Sequence, residues 1–344
     1  MPTSERTALV VTSAHWPADP RLNRHVEYLR RGGWAAQLVA HHPANRAART
    51  ITSFRVIGEM ARRRPEVVVL PNPELHVIGS IAARLLGIKP VLDIQEDYSR
   101  VAATREWIPT PMRPLVRVLT RAWEWLGRKL ADAVVVAAPE LFREGDFLVM
   151  NMPDPAEARA QTETDPNLVV YVGDVTRARG AIEMVEVLCD LGPSHELLVV
   201  GRVDEPTRAE MERLAAQEGV ADRLHIMGRL DHADAWERAS RAVAGLCLLR
   251  PEPAYLAAVA TKIFEYMAYG VPPVVSDLPG QAAAVSALHP ELVCSTPEAA
   301  ANVIRRLGTD LMFRKEVVER GVRLADERWE EKRPDLALQR AVEP

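Results

Sequence analysis

The sequence predicts an α/β protein made of two doubly wound parallel sheets, and three observations lead there. Apolar runs of four to seven residues alternate with helix-length amphipathic segments along the whole chain. Those runs are rich in Val and Leu with little polar alternation, as in parallel strands buried on both faces. The alternation comes as two consecutive sets, divided by a stretch rich in Pro, Asp and Thr at 151–167. A chain of 344 residues is long for one core and suits two domains, expected at 1–160 and 161–324.

In the first set the predicted strands are ALVVTS (8–13), AAQLVA (35–40), EVVVL (66–70), VLDI (91–94), AVVVAA (133–138) and FLVM (147–150). In the second they are LVVYVG (168–173), ELLVVG (196–201), LHIMG (224–228), VAGLCLL (243–249), VPPVVS (271–276) and LVCS (292–295). Beyond them, ERWEEKRPDLALQRAVEP reads as a charged closing helix. Ligands of such sheets sit at the carboxyl ends of strands, so the loops after strands are where chemistry is sought.

Composition excludes several classes. Hydrophobic content of 48% with 26% charged residues belongs to a globular protein. No apolar run reaches the roughly 18–20 residues that span a bilayer. The opening MPTSERTALVVTSAHW has a polar lead and a strand-length apolar run, unlike a signal peptide. Three scattered cysteines, Cys189, Cys247 and Cys294, fit neither a disulfide framework nor a metal site, so a cytoplasmic location is expected. Residues 1–150 hold 21 Lys+Arg against 15 Asp+Glu, and residues 151–344 hold 22 against 32. The asymmetry supports two domains, and no dense basic run interleaved with aromatics suggests nucleic acid.

The loop after the first strand is SAHWPADPR (13–21). Asp19 and Pro20 suit a helix start, while His15 and Trp16 either line a substrate site or pack within the domain. After the fourth strand, DIQEDYSR places Gln95, Glu96 and Asp97 at a strand end. The acidic pair also suits a solvated helix start, whereas the Gln95 amide offers donor and acceptor to a hydroxyl-rich ligand. In the second set, YVGDVTRARGAIEMVEV has Gly173 for close backbone approach, with Arg177 and Arg179 before a helix beginning near Gly180. Cations have little structural reason to stand at a helix N-terminus, so a phosphate ligand explains them better.

In ATKIFEYMAYG the apolar Ile263, Phe264 and Met267 face the core while Lys262 and Glu265 stand about one turn apart. Either they form an exposed i,i+3 ion pair, or the helix start and Lys262 meet a diphosphate while Glu265 accepts from ribose hydroxyls. Spacing leaves both open. The segment 110–130 puts Arg113, Arg117 and Arg121 on one stripe and Leu115, Leu119, Trp123 and Leu126 on another. Such a helix either packs its apolar stripe on a sheet or docks weakly on an anionic membrane surface. The chain has no DxD, HExxH or Cys-x-x-Cys, so no metal site is indicated. Without G-x-G-x-x-G after the first strand, no nicotinamide or flavin cofactor is expected either.

TKIFEYMAYGVPPVVSDLPG resembles the C-domain signature of family 4 retaining glycosyltransferases, which have the GT-B fold of two Rossmann-like domains facing across a cleft. VVTSAHWPADPRLNRHVEYLRRGGW, VLDIQEDY, YVGDVTRARG, LVVGR and HIMGRL extend the resemblance in order over nearly the whole chain. It implies a metal-independent, hexosyltransferase-type enzyme that moves a sugar from a nucleotide-diphosphate donor, UDP or GDP, to an acceptor. The acceptor (a natural product, glycan or lipid-linked intermediate) would be held largely by residues 1–150, with Gln95 near the chemistry and Glu96 beside it.

By the same resemblance Glu265 would hold the ribose, and Arg179 the diphosphate. Lys262 would lie near the phosphates or sugar, with Gly173, Thr261 and the N–H groups of 258–261 around them. Residues 325–344 would return to the first domain. The family's retention is explained by front-face attack in which the leaving phosphate takes the acceptor proton, so no protein nucleophile is implied. Three positions depart from the pattern: Ala257 where a first glutamate is expected, Gln95 for a histidine, and Asp174 for a basic residue. They bear on the donor sugar, and they keep two alternatives in view: a nucleotide-sugar 2-epimerase, and a non-catalytic auxiliary subunit.

Overall fold

The computed structural model describes residues 6–14, 17, 19–41, 48–99, 108–155, 158, 163–252, 255–256 and 259–343. Among them lie two six-stranded sheets. The first comprises β1 (Thr7–Thr12), β2 (Ala35–Ala40), β3 (Val67–Leu70), β4 (Lys89–Ile94), β5 (Ala133–Val136) and β6 (Phe147–Leu148), in the order β2-β1-β3-β4-β5-β6. The second comprises β7 (Asp165–Val172), β8 (Glu196–Val200), β9 (Leu224–Gly228), β10 (Ala242–Cys247), β11 (Pro273–Ser276) and β12 (Val293–Cys294), in the order β12-β11-β10-β7-β8-β9. Every neighbouring pair is parallel.

Each predicted strand corresponds to one of these. All four residues of β3 and all six of β10 are buried, which is why their sequences carry no polar alternation. The starts differ most at β7, which begins at Asp165, three residues before the apolar run. There Asp165 N donates to Arg241 O, extending the ladder through polar residues.

The chain divides into two compact units, Met1–Asn151 with Lys332–Pro344, and Met152–Glu331. The return to the first unit therefore starts later than residue 325. Helix Leu311–Lys332 keeps Ala325 in the second unit's core, and Arg333, at φ 36°, breaks the helix before Pro334. Helix Pro334–Val342 then lies against helix Pro20–Arg31, where Gln339 Nε2 donates to Tyr28 O at 2.8 Å. Helix Pro20–Arg31 itself starts as its sequence requires, with Asp19 accepting from Leu22 N at 3.2 Å.

Helix Arg113–Leu130 corrects one expectation. Its apolar stripe does not pack on a sheet: Leu115 is 56% exposed and Leu119 59%. The opposite side holds the helix to the unit. Gly127 approaches His76 so closely that a Cβ there would stand 3.0 Å from the histidine's own, and Arg128 pairs with Asp146 at 2.7 Å. No helix among the described residues is long and apolar enough to cross a membrane.

Candidate functional site

In the second sheet the strand order reverses between β7 and β10, since β8 and β9 lie on one side of β7 and β10 on the other. A doubly wound sheet opens a crevice at the carboxyl ends of two such strands. The connection after β7 runs from Gly173 through a 3-10 turn, Arg177–Arg179, into helix Ala181–Asp190. It is pinned against the end of β10: Arg250 N donates to Ala178 O at 3.0 Å, and a Cβ on Gly180 would lie 2.0 Å from Leu248 O. Only glycine fits there, at φ +83°.

Helix Thr261–Ala268 follows β10 and starts at this crevice. Its N-cap, Ala260, has no side-chain acceptor to cap it, and among the described residues no side chain accepts from its first N–H groups. Thr261 is half-buried at its first position. The next residue, Lys262, is the distinctive one. Its Nζ is buried with no hydrogen-bond partner among the described residues, 3.4 Å from the centre of the Tyr171 ring. A Cβ on Gly173, at φ +132°, would stand 3.2 Å from that Nζ. Burial, and the nearby Arg179 charge, bring the Lys262 ammonium down to about 8 from an ordinary 10.5.

The exposed i,i+3 ion pair between Lys262 and Glu265 is thus overturned, because the ammonium turns inward over Tyr171 instead of outward. Glu265 turns to His232, with Oε1 3.5 Å from Nε2. The sequence reading missed His232; its signal is a histidine opening a helix, in LDHADAW, just after β9. Trp236 of that helix stacks on Tyr269 at 4.5 Å and buries the far end of helix Thr261–Ala268. Tyr266, also missed, lies wholly buried and accepts from Val172 N at 3.0 Å, tying this helix to β7.

The two arginines separate. Arg179 stays half-buried, donating to Asp174 O at 3.1 Å. Arg177 is exposed and pairs with Glu210, so it is a surface residue and not part of an anion site. The Asp174 carboxylate turns outward, 3.7 Å from Arg202. Beside this site, a cavity of ≈ 330 Å³ is bordered by Glu183, Arg250, Ser276, Asp277 and Thr296. Its charged pair is internally matched, with Arg250 Nε 3.5 Å from Glu183 Oε1. Ala257 and Ala258 lie outside the described residues.

In the first sheet the order reverses between β1 and β3. Asn72 Oδ1 accepts from Ser13 N at 2.9 Å and Ser13 Oγ donates to Glu74 at 2.8 Å, which joins the two strand ends. His15 and Trp16, expected here, lie outside the described residues. After β4, Gln95 is not a free amide: its Nε2 donates to Asp93 Oδ2 at 3.1 Å. Asp93 is fully buried and also takes Arg21 in two hydrogen bonds, at 2.6 and 3.1 Å, and His25 at 3.1 Å. Burial opposes its ionisation, but Arg21 and His25 hold the carboxyl far below the usual carboxylate range. Burial pushes the His25 imidazole down, toward its neutral form. Asp97 accepts from Ser99 Oγ at 2.6 Å, a local helix-start contact, and Glu96 is exposed. Among the described residues no group of three His, Cys, Asp or Glu is placed to hold a metal.

Comparison with known proteins bears on the fold. Residues 154–323 match the family model for glycosyl transferases group 1. Over 180 residues the chain is 25% identical to the sulfoquinovosyl transferase SQD2 of Arabidopsis thaliana, covering 47% of this chain and 34% of that protein. The match thus spans about a third of that relative's length. The structure of HepE from Anabaena, in complex with UDP and glucose, superposes with a TM-score of 0.65 at 12% identity, over 97% of both chains. Sucrose-phosphate synthase from Thermosynechococcus elongatus gives 0.67 at 16%, again over 97% of both. At such identities the likeness speaks to the fold. The chain therefore has the GT-B fold, and most of its second unit, residues 154–323, is similar to glycosyl transferases group 1.

Proposed function

We propose that the chain is a retaining, hexosyltransferase-type glycosyltransferase of family 4, using a UDP- or GDP-linked sugar as donor. One observation carries the reading: a buried lysine ammonium with no hydrogen-bond partner among the described residues stands at the strand-order reversal of the second sheet, beside Gly173 and a helix start that Ala260 does not cap. A buried charge needs compensation, and a diphosphate supplies two negative groups where the helix dipole also favours them. HepE, which shares the fold, is solved with UDP and glucose, and this recommends UDP as the first ligand to try.

In this reading Lys262 and Arg179 stabilise the departing diphosphate, and Glu265 accepts from the ribose hydroxyls. The bond from the anomeric carbon to the phosphate oxygen breaks, and a bond to the acceptor oxygen forms on the same face. The acceptor proton passes to the leaving phosphate, so the reaction takes no protein nucleophile. With two cationic side chains and helix N–H groups for the diphosphate, we expect turnover to persist in excess EDTA. Activity lost in EDTA and restored by magnesium or manganese would disprove that part. Gln95, with one N–H given to Asp93, would still offer its carbonyl oxygen and its second N–H to a ligand.

The test is calorimetric titration of UDP and GDP into wild type, Lys262→Ala and Glu265→Ala. Losing a hydrogen bond to a charged group is worth about 1.5–3 kcal/mol, so each variant should bind about ten- to a hundredfold more weakly. Lys262→Ala should lose more for the diphosphate than for the nucleoside, and Glu265→Ala should lose for both. Unchanged affinity in both variants refutes the site. Donor consumption without any acceptor would favour a 2-epimerase, and binding without turnover an auxiliary subunit.

A further inference from the structure

Helix Arg113–Leu130 is anchored by one side and leaves the other bare. The anchored side carries Val116, Thr120, Glu124, Gly127 and Arg128, and Trp123 Nε1 adds a hydrogen bond to Pro73 O at 2.8 Å. Those contacts fix the helix, so the remaining arc is presented rigidly. That arc is apolar: Leu115, Val118, Leu119 and Trp125 are each between 56% and 61% exposed. At 18 residues the helix offers about 27 Å of such surface.

The charges around the arc have one sign. Arg117 and Arg121 flank one edge and Lys129 lies on the arc near its end, all three exposed. None of the three has an acidic partner among the described residues. The helix's single acid, Glu124, is on the anchored side, occupied by Arg128 at 3.1 Å and Arg143 at 2.9 Å. An apolar arc bordered by exposed cations and carrying an aromatic ring of the interfacial type matches the surface of a bilayer with negative headgroups. Residues 1–150 add a wider basic excess of the same sign.

We propose that this helix docks the protein on an anionic lipid bilayer, lying in the headgroup plane with Leu115, Val118, Leu119 and Trp125 toward the acyl chains. The inference does not depend on the donor site, because it concerns a surface of the first unit alone.

The test is co-sedimentation of the full chain with vesicles of phosphatidylcholine, and of equal parts phosphatidylcholine and phosphatidylglycerol, at low and high salt. Binding should be confined to the anionic vesicles and be lost at high salt. The double variant R117E/R121E should partition at least tenfold more weakly, since each basic residue near such a surface contributes roughly a fivefold factor. L119E/W125E should also fall at least tenfold with the arginines intact. All four positions are exposed, and an unchanged thermal midpoint checks that each variant folds. Equal pelleting with both lipids, pelleting with neither, or retained binding in L119E/W125E overturns the proposal. So does sedimentation as a dimer that L119E/W125E converts to a monomer, which would assign the face to a second copy of the chain.

Discussion

Asp93 in the first unit and Lys262 in the second are both buried charges near the carboxyl end of a parallel sheet, and they are treated in opposite ways. Asp93 is saturated from within: Arg21 takes it with two hydrogen bonds, and His25 and Gln95 complete its shell. Among the described residues the Lys262 ammonium has an aromatic face and no hydrogen-bond partner. A charge whose partners are all in the chain holds the fold together, and under the function proposed above the Lys262 charge is kept for a ligand. Burial alone does not separate a structural charge from a functional one. The presence of a counter-charge does.

Removing the partner of each charge's environment tests this contrast most strongly. Arg21→Ala leaves Asp93 buried without its cation and should cost about 3–5 kcal/mol of the first unit's stability in denaturant unfolding. Lys262→Met, which removes a buried unpaired ammonium, should leave stability unchanged or raised while diphosphate binding falls. Equal losses in both variants would erase the distinction.

The second consequence is a pH dependence. Lys262 sits at about 8 in the folded protein against an ordinary 10.5, so between those values the unfolded chain holds the extra proton. Stability of the ligand-free protein therefore gains from this group as pH rises through that window. Diphosphate binding should do the reverse, because the ligand prefers the charged lysine. Affinity for UDP should fall by up to about tenfold per pH unit above about 8, and affinity for uridine should not. Titrations across that range decide it, and parallel curves for the two ligands would remove Lys262 from the phosphates.

The smallest expected effect is at His232. Its contact with Glu265, at 3.5 Å between partly exposed groups, is worth about 0.2–1 kcal/mol. His232→Ala should weaken nucleotide binding by about fivefold or less, measured beside Glu265→Ala. A larger loss would make His232 a ligand contact in its own right.

The strands were legible in the sequence because burial on both faces leaves the central ones short apolar words, as in VVVL of β3. The crevice glycines and the helix carrying Lys262 were legible too, since turn and helix signals are local. The Asp93 cluster was not, although an aspartate inside VLDI, with Arg21 and His25 four apart on one helix, held the clue. Arg21 and Asp93 are 72 residues apart, and only the pairing of strands brings them together. The direction of Lys262 was equally hidden. Its neighbour at i+3 suggested Glu265, whereas the group it meets is the Tyr171 ring of a different strand. For helix Arg113–Leu130 the pattern showed an apolar arc but not which arc faces inward, because Gly127 and Arg128 decide that through His76 and Asp146.

The closing helix sets an order of events during synthesis. Leu338, Ala341 and Val342 are buried, and the unit they complete also contains the first strands of the chain. A ribosome making this protein delivers residues 7–151 long before it delivers 334–342. The second unit, Met152–Glu331, is continuous and has all of its core once residue 331 has emerged. The first unit must keep a vacancy on helix Pro20–Arg31 until residues 334–342 arrive, so a unit begun before the second is completed after it.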